Sequence, residues 1–177
     1  MDEYIIRVLQ HYRHDLMNRL QIVQGYLSMG KANQAEEKLS EVVDFYKEER
    51  KLMDLNVPSF MLWILEFNTT FKNFRLTYNI HAEYKSMHIS DSILVGQCQE
   101  IMELCMEELD PQVLYEVKLE LNEIPSLSLV TVNLSIEGDT QIEQIISGNM
   151  KYRNVNKEID IESTNNGLIF SFSVPCQ

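Results

Sequence analysis

Arg13-His14-Asp15-Leu16-Met17-Asn18-Arg19-Leu20-Gln21-Ile22-Val23-Gln24-Gly25-Tyr26-Leu27-Ser28-Met29-Gly30 is the stretch that decides the fold. Leu16, Leu20, Val23 and Leu27 recur at spacings of four, three and four, and Ile6 and Leu9 extend the series backwards. This period predicts a helix from about Glu3 to Met29 with a coiled-coil-like seam. Ile6, Leu20 and Leu27 fall on one heptad core position, interrupted by Arg13, and Leu9, Leu16 and Val23 on the other. The opposite stripe, Arg7, His11, His14, Asn18, Gln21, Gly25 and Ser28, holds no large apolar residue and is expected to face solvent.

Working outward, Gly30 suits the left-handed position after a helix end. Asn33, with Glu36 three residues on, reads as a capping box that opens a second helix. Ala35, Leu39, Val42, Tyr46 and Met53 mark its apolar face. Pro58 then stops one helix and starts the next, through Phe67. Beyond this the period changes. Strands are predicted at 76–84, 113–121, 127–136, 158–163 and 168–174. A helix capped by Ser90-Asp91 is expected to reach about Leu109, and another to cover 139–147. The expected fold is α+β, with a helical hairpin over residues 1–56 and an α/β domain over 57–177.

A hairpin of two amphipathic helices buries one seam and leaves apolar surface elsewhere. A second copy closing a dimeric four-helix bundle is one remedy, and packing on the chain's own α/β domain is the other.

Composition narrows the partners. Hydrophobic residues make up 45% of the 177, ordinary for a globular chain, and the net charge of −12 disfavours nucleic acid and anionic membranes. No apolar run of 18 residues exists, and Met1-Asp2-Glu3-Tyr4 leads into an amphipathic segment rather than a basic leader. A cytoplasmic protein is expected. Cys98 and Cys105 lie seven apart in a helical pattern, roughly 10 Å along the axis, too far for a bridge. With Cys176 they read as thiols of a reducing compartment, and no clustered ligands suggest a metal.

His14 would stand exposed in mid-helix with Asp15 beside it and Asn18 one turn on. Neutral imidazole can attack phosphorus through one nitrogen when a hydrogen bond holds the proton on the other. A carboxylate such as Asp15 supplies that bond. Gly25, on the same stripe, reads either as room for a close approach or as a plain surface glycine. Ile22 reads as an apolar docking contact or as a half-buried flank residue. Arg7, Arg13 and Arg19 surround His14 in a chain short of positive charge. They read as attraction for an acidic aspartate pocket or as solvated arginines.

As an ordered set, His14-Asp15, Asn18, Leu20-Gln21, Gly25 and Leu27 resemble the phosphoacceptor box of sensor histidine kinases. Hairpin, linker and α/β domain together resemble the sporulation initiation phosphotransferases of endospore-forming bacteria. This resemblance implies a homodimer with two phosphorylatable histidines and a C-terminal domain related to the kinase ATP-binding domain. It implies that His14 accepts phosphoryl from an aspartate of a single-domain response regulator and gives it to an aspartate of a transcription-factor response regulator. Asp15 and Asn18 complete the site, and Arg13, Arg19, Gln21, Ile22 and Gly25 are expected at the docking surface. No cofactor of its own is expected, the magnesium being the partner's.

A kinase would need phosphate-cradling glycines and a metal-holding asparagine. Of Gly25, Gly30, Gly96, Gly138, Gly148 and Gly167, no two are spaced as Asp-x-Gly-x-Gly. The helix 94–109 contains no asparagine and is rich in acids. The expectation is a retained fold without a nucleotide site. An ATP-using kinase relative and a non-enzymatic dimeric adaptor are the alternatives.

Overall fold

The structure, a computed structural model, describes residues 2–81, 89–138 and 159–176. Helix α1 spans Asp2–Ser28 and α2 spans Ala32–Asp54, followed by α3, Pro58–Thr70. Strand β1 is Phe74–His81, α4 is Asp91–Glu108, and β2 is Tyr115–Ile124. A 3-10 turn, Pro125–Leu127, leads to β3, Leu129–Glu137, and the chain ends with β4, Asp160–Thr164, and β5, Gly167–Pro175. The helix expected at 139–147 lies outside the described residues, as do the end of the first expected strand and Glu158. The chain is α+β and divides into two compact units, Met1–Arg50 and Lys51–Gln177.

In the first unit, α1 ends in a Schellman turn. Gly30, at φ +69°, donates to the Leu27 carbonyl (3.0 Å), and the Lys31 N–H donates to the Tyr26 carbonyl (2.9 Å). The chain leaves this turn already aimed into α2, and the Ala35 N–H bonds the Lys31 carbonyl at 3.1 Å. Helix α2 therefore begins before Asn33, which sits in its first turn. The expected Asn33–Glu36 capping box is corrected, because the glycine turn positions the helix start.

The hairpin's contact faces also differ from expectation. Val23, Ala35 and Val42 are buried and Leu16 is half-buried, but Leu39 and Met53 are exposed. Glu49 completes the series Ala35, Val42, Glu49 at heptad spacing and is only 2% exposed. The Tyr12 hydroxyl donates to its Oε1 at 2.7 Å, and Tyr12 and Tyr46 meet edge to face. The seam splits in two. One half turns toward α2, while Ile6 (54% exposed), Leu20 (40%) and Leu27 (59%) stand in solvent with Leu9, Leu39 and Val43.

In the second unit a five-stranded sheet runs in the order β1-β2-β3-β5-β4. β1 is parallel to β2, and the other pairings are antiparallel. Strand side chains alternate between faces. Tyr115, Val117, Leu119 and Leu121 of β2, Val130, Val132, Leu134 and Ile136 of β3, and Leu168, Phe170, Phe172 and Val174 of β5 are buried. Phe60, Ile64 and Phe67 of α3 and Leu94, Cys98, Ile101, Met102 and Cys105 of α4 complete the core. Burial pushes the Cys105 thiol up to about 12 and raises Cys98 as well, so both behave as small apolar side chains. Gly167 is needed where β5 begins, since a Cβ there would lie 2.0 Å from the Ile136 carbonyl oxygen.

Pro58 does open α3, but its cap comes from far along the chain. Asp91 accepts from the Ser59 N–H through Oδ2 and from the Phe60 N–H through Oδ1, each at 2.8 Å. Ser90 occupies the N-cap position of α4 without making a side-chain cap bond. The expectation that Ser90-Asp91 caps α4 is thus corrected for the Asp91 carboxylate, which satisfies the orphan N–H groups of α3.

Candidate functional site

Helix α1 contains no proline, and its one glycine, Gly25, lies in its last turns, so nothing interrupts the helix around His14. The side chains of His14 and Asp15 are 70% and 73% exposed. His14 Nδ1 lies 3.4 Å from Asp15 Oδ1. Asn18, one turn on, brings its Nδ2 to 3.2 Å from the same nitrogen. Residues four apart share a helix face, so α1 itself assembles the trio. Nε2 of His14 is the nitrogen left for an incoming group.

Gln21 and Ile22 are exposed, one turn further along. Gly25 is half-exposed, and a Cβ there would meet nothing within 4 Å. Among the described residues no packing demands a glycine at that position. His11 takes no part in the trio, its Nδ1 lying 3.1 Å from the Arg7 carbonyl oxygen of its own helix.

The arginines separate. Arg13 is exposed and keeps heptad spacing with Ile6, Leu20 and Leu27. Arg19 is half-buried, with its guanidinium carbon 4.0 Å from the centre of the Phe45 ring. The cluster of three arginines around His14 is therefore corrected for Arg19. Helical geometry carries it about 140° round from His14, toward α2, where a cation–π contact holds it.

Sequence reasoning missed the Tyr12–Glu49 pair. The signal was there, since an acid stands where Ala35 and Val42 predict the next core residue. Burial first, and then the hydrogen bond and charge of Glu49, raise the Tyr12 phenol well above its usual value. The folded hairpin thus favours the neutral phenol. Stability that is fully present below about pH 10, the unfolded value, is lost as pH rises above it. Tyr12→Phe should weaken this alkaline loss in a pH series of thermal melts. At neutral pH it should cost about 1–3 kcal/mol, because Glu49 loses its partner.

Among the described residues no group of three or more His, Cys, Asp or Glu is placed to hold a metal ion. No helix among them is long and apolar enough to cross a membrane. Helix α4 contains no asparagine and exposes Glu100, Glu103 and Glu107, and Gln99 Nε2 donates to Glu103 at 2.8 Å.

Residues 2–55, the two helices that carry the exposed histidine, acid and amide, match a family model described as "Sensor_kinase_SpoOB-type, alpha-helical domain". Among individual proteins, the chain is similar to Sporulation initiation phosphotransferase B of Bacillus subtilis (strain 168), with 33% identity over 100 residues. That match covers 56% of this chain and 52% of the relative, about half the length of each. The resemblance drawn from Arg13–Gly30 stands on these two findings.

Solved structures are more distant. The histidine kinase ThkA in complex with the response regulator protein TrrA covers 96% of this chain and 61% of its own, at 16% identity and a TM-score of 0.38. The catalytic domain of ThkA covers 71% and 92%, at 15% identity and a TM-score of 0.43. The Acinetobacter baumannii histidine kinase AdeS covers 92% and 97%, at 9% identity and a TM-score of 0.42.

Proposed function

We propose that the chain is a phosphotransferase of a sporulation phosphorelay, with His14 as the residue that carries the phosphoryl group. The observation that carries this reading is the trio on α1, an exposed histidine with an acid and an amide on one ring nitrogen. The similarity to Sporulation initiation phosphotransferase B points the same way.

In the proposed reaction a receiver domain presents an aspartyl phosphate to His14. The Nε2 lone pair forms a bond to phosphorus as the bond from phosphorus to the aspartate oxygen breaks, and the electron pair leaves with the carboxylate. Asp15 accepts from Nδ1–H and stabilises the positive charge that the ring gains. The reverse displacement then gives the phosphoryl group to an aspartate of a second regulator. In this reading the donor is a single-domain regulator and the acceptor a transcription factor. Magnesium comes with the receiver domain, and this chain supplies nucleophile and positioning without a cofactor of its own. Gln21, Ile22 and Gly25 extend the stripe that a receiver domain would cover, with Arg13 at its flank.

The same reading makes the protein a cytoplasmic homodimer. Ile6, Leu9, Leu20, Leu27, Leu39 and Val43 leave apolar surface on both helices, which supports closure of a four-helix bundle by a second hairpin. Residues 1–56 then carry dimerisation and phosphotransfer, and 57–177 form a kinase-like domain that has lost its nucleotide site.

The test is to incubate the protein and magnesium with a phosphorylated single-domain response regulator, expecting acid-labile, base-stable label on His14. Absence of label would leave the adaptor reading. With magnesium and ATP alone, neither label nor a rise in melting temperature is expected. Saturable ATP binding in the micromolar range would instead support the kinase relative, and isothermal titration reads it directly.

A further inference from the structure

Asp15 and Asn18 make opposite demands on one atom. A carboxylate only accepts, so the contact from Asp15 Oδ1 to His14 Nδ1 is a hydrogen bond when Nδ1 carries a proton. The Asn18 Nδ2 amide only donates, so its 3.2 Å contact needs the Nδ1 lone pair. A neutral imidazole has one N–H and one lone pair, and cannot serve both. The two partners therefore favour different tautomers. With the proton on Nδ1, the Nε2 lone pair is available to attack phosphorus. With the proton on Nε2, that nitrogen is no nucleophile.

We propose that the Asn18 amide selects the tautomer of His14. With Nδ2 turned to the ring it favours the form that cannot attack, against the pull of Asp15. A half-turn about its Cβ–Cγ bond brings Oδ1 to the ring, where it joins Asp15 in holding Nδ1–H and leaves Nε2 reactive. Asn18 is exposed on the stripe that a receiver domain would cover, so a docked regulator can reach the amide and favour the second orientation. An undocked His14 then populates the unreactive form more than it would with Asp15 as its only partner. Asn18 is in this account a positioning residue, and the inference rests on His14 being the acceptor.

Ring-nitrogen NMR reads the tautomer without any transfer. The full-length protein is labelled with ¹⁵N-histidine and observed about two pH units above an ordinary imidazole's pKa, with His14→Ala to assign the signals. Asn18→Ala is expected to raise the ratio of Nδ1–H to Nε2–H at His14 at least about threefold, and Asp15→Ala to lower it. The His11 ring, held by the Arg7 carbonyl, should not change. Asn18→Asp keeps the side-chain size and can only accept, so it should raise the ratio as well. A ratio unchanged or lowered in both Asn18 variants would overturn the proposal. Failure of the acceptor reading shows separately, as wild-type protein that takes no label from a phosphorylated regulator while its tautomer ratio still responds to Asn18.

Discussion

His14→Ala is expected to reduce phosphoryl acceptance from a phosphorylated receiver domain to background, with the fold unchanged. The loss should be complete because no other described side chain offers a nucleophilic nitrogen on that stripe within reach of Asp15 and Asn18. His11 is tied to its own helix backbone, and His81 lies at the end of β1 in the other unit. Each changed singly should leave acceptance in place, and the same is expected of His88, which lies outside the described residues. His14 is largely exposed, so alanine should alter stability by no more than about 0.5 kcal/mol. Radiolabel transfer and a thermal melt on one preparation check both parts. Label persisting on the alanine variant would end the assignment.

Leu20→Glu should abolish self-association while leaving the single chain folded. Leu20 is 40% exposed, so the hairpin itself has room for a carboxylate there. In a two-fold bundle the same change places an unpaired charge from each copy inside one apolar interface, at roughly 3–5 kcal/mol per uncompensated charge. Association should weaken by a factor on the order of a thousand or more. Sedimentation velocity should show dimer for the wild type and monomer for the variant at micromolar concentration, with helical circular dichroism retained. A wild type that sediments as a monomer would contradict the bundle.

The alternation of apolar residues made the strands legible, and the core strands lie within two or three residues of where their patterns put them. The helical half was legible in its elements but not in its faces. A heptad pattern says that Ile6, Leu9, Leu16, Leu20, Val23 and Leu27 avoid water. It does not say which of them meet α2 and which stand apart. Arg19 was misplaced for a related reason. An arginine five residues from His14 is near in sequence but lies on another face of the helix, where Phe45 offers its ring. Glu49 escaped notice because a period of apolar residues leaves no place for an acid. The trio itself was legible, since α1 sets the spacing of His14, Asp15 and Asn18 with no help from tertiary structure. Its competing hydrogen bonds were not, because they depend on which end of an amide faces the ring.

The Asp91 carboxylate lies 32 and 31 residues beyond the two N–H groups it accepts from at the start of α3. During synthesis at about 5–20 residues per second, the first turn of α3 is made roughly 2–6 s before its cap. Through that interval two of its donors have only water. The helix opened by Pro58 therefore gains these two bonds only after Asp91 has been added to the chain.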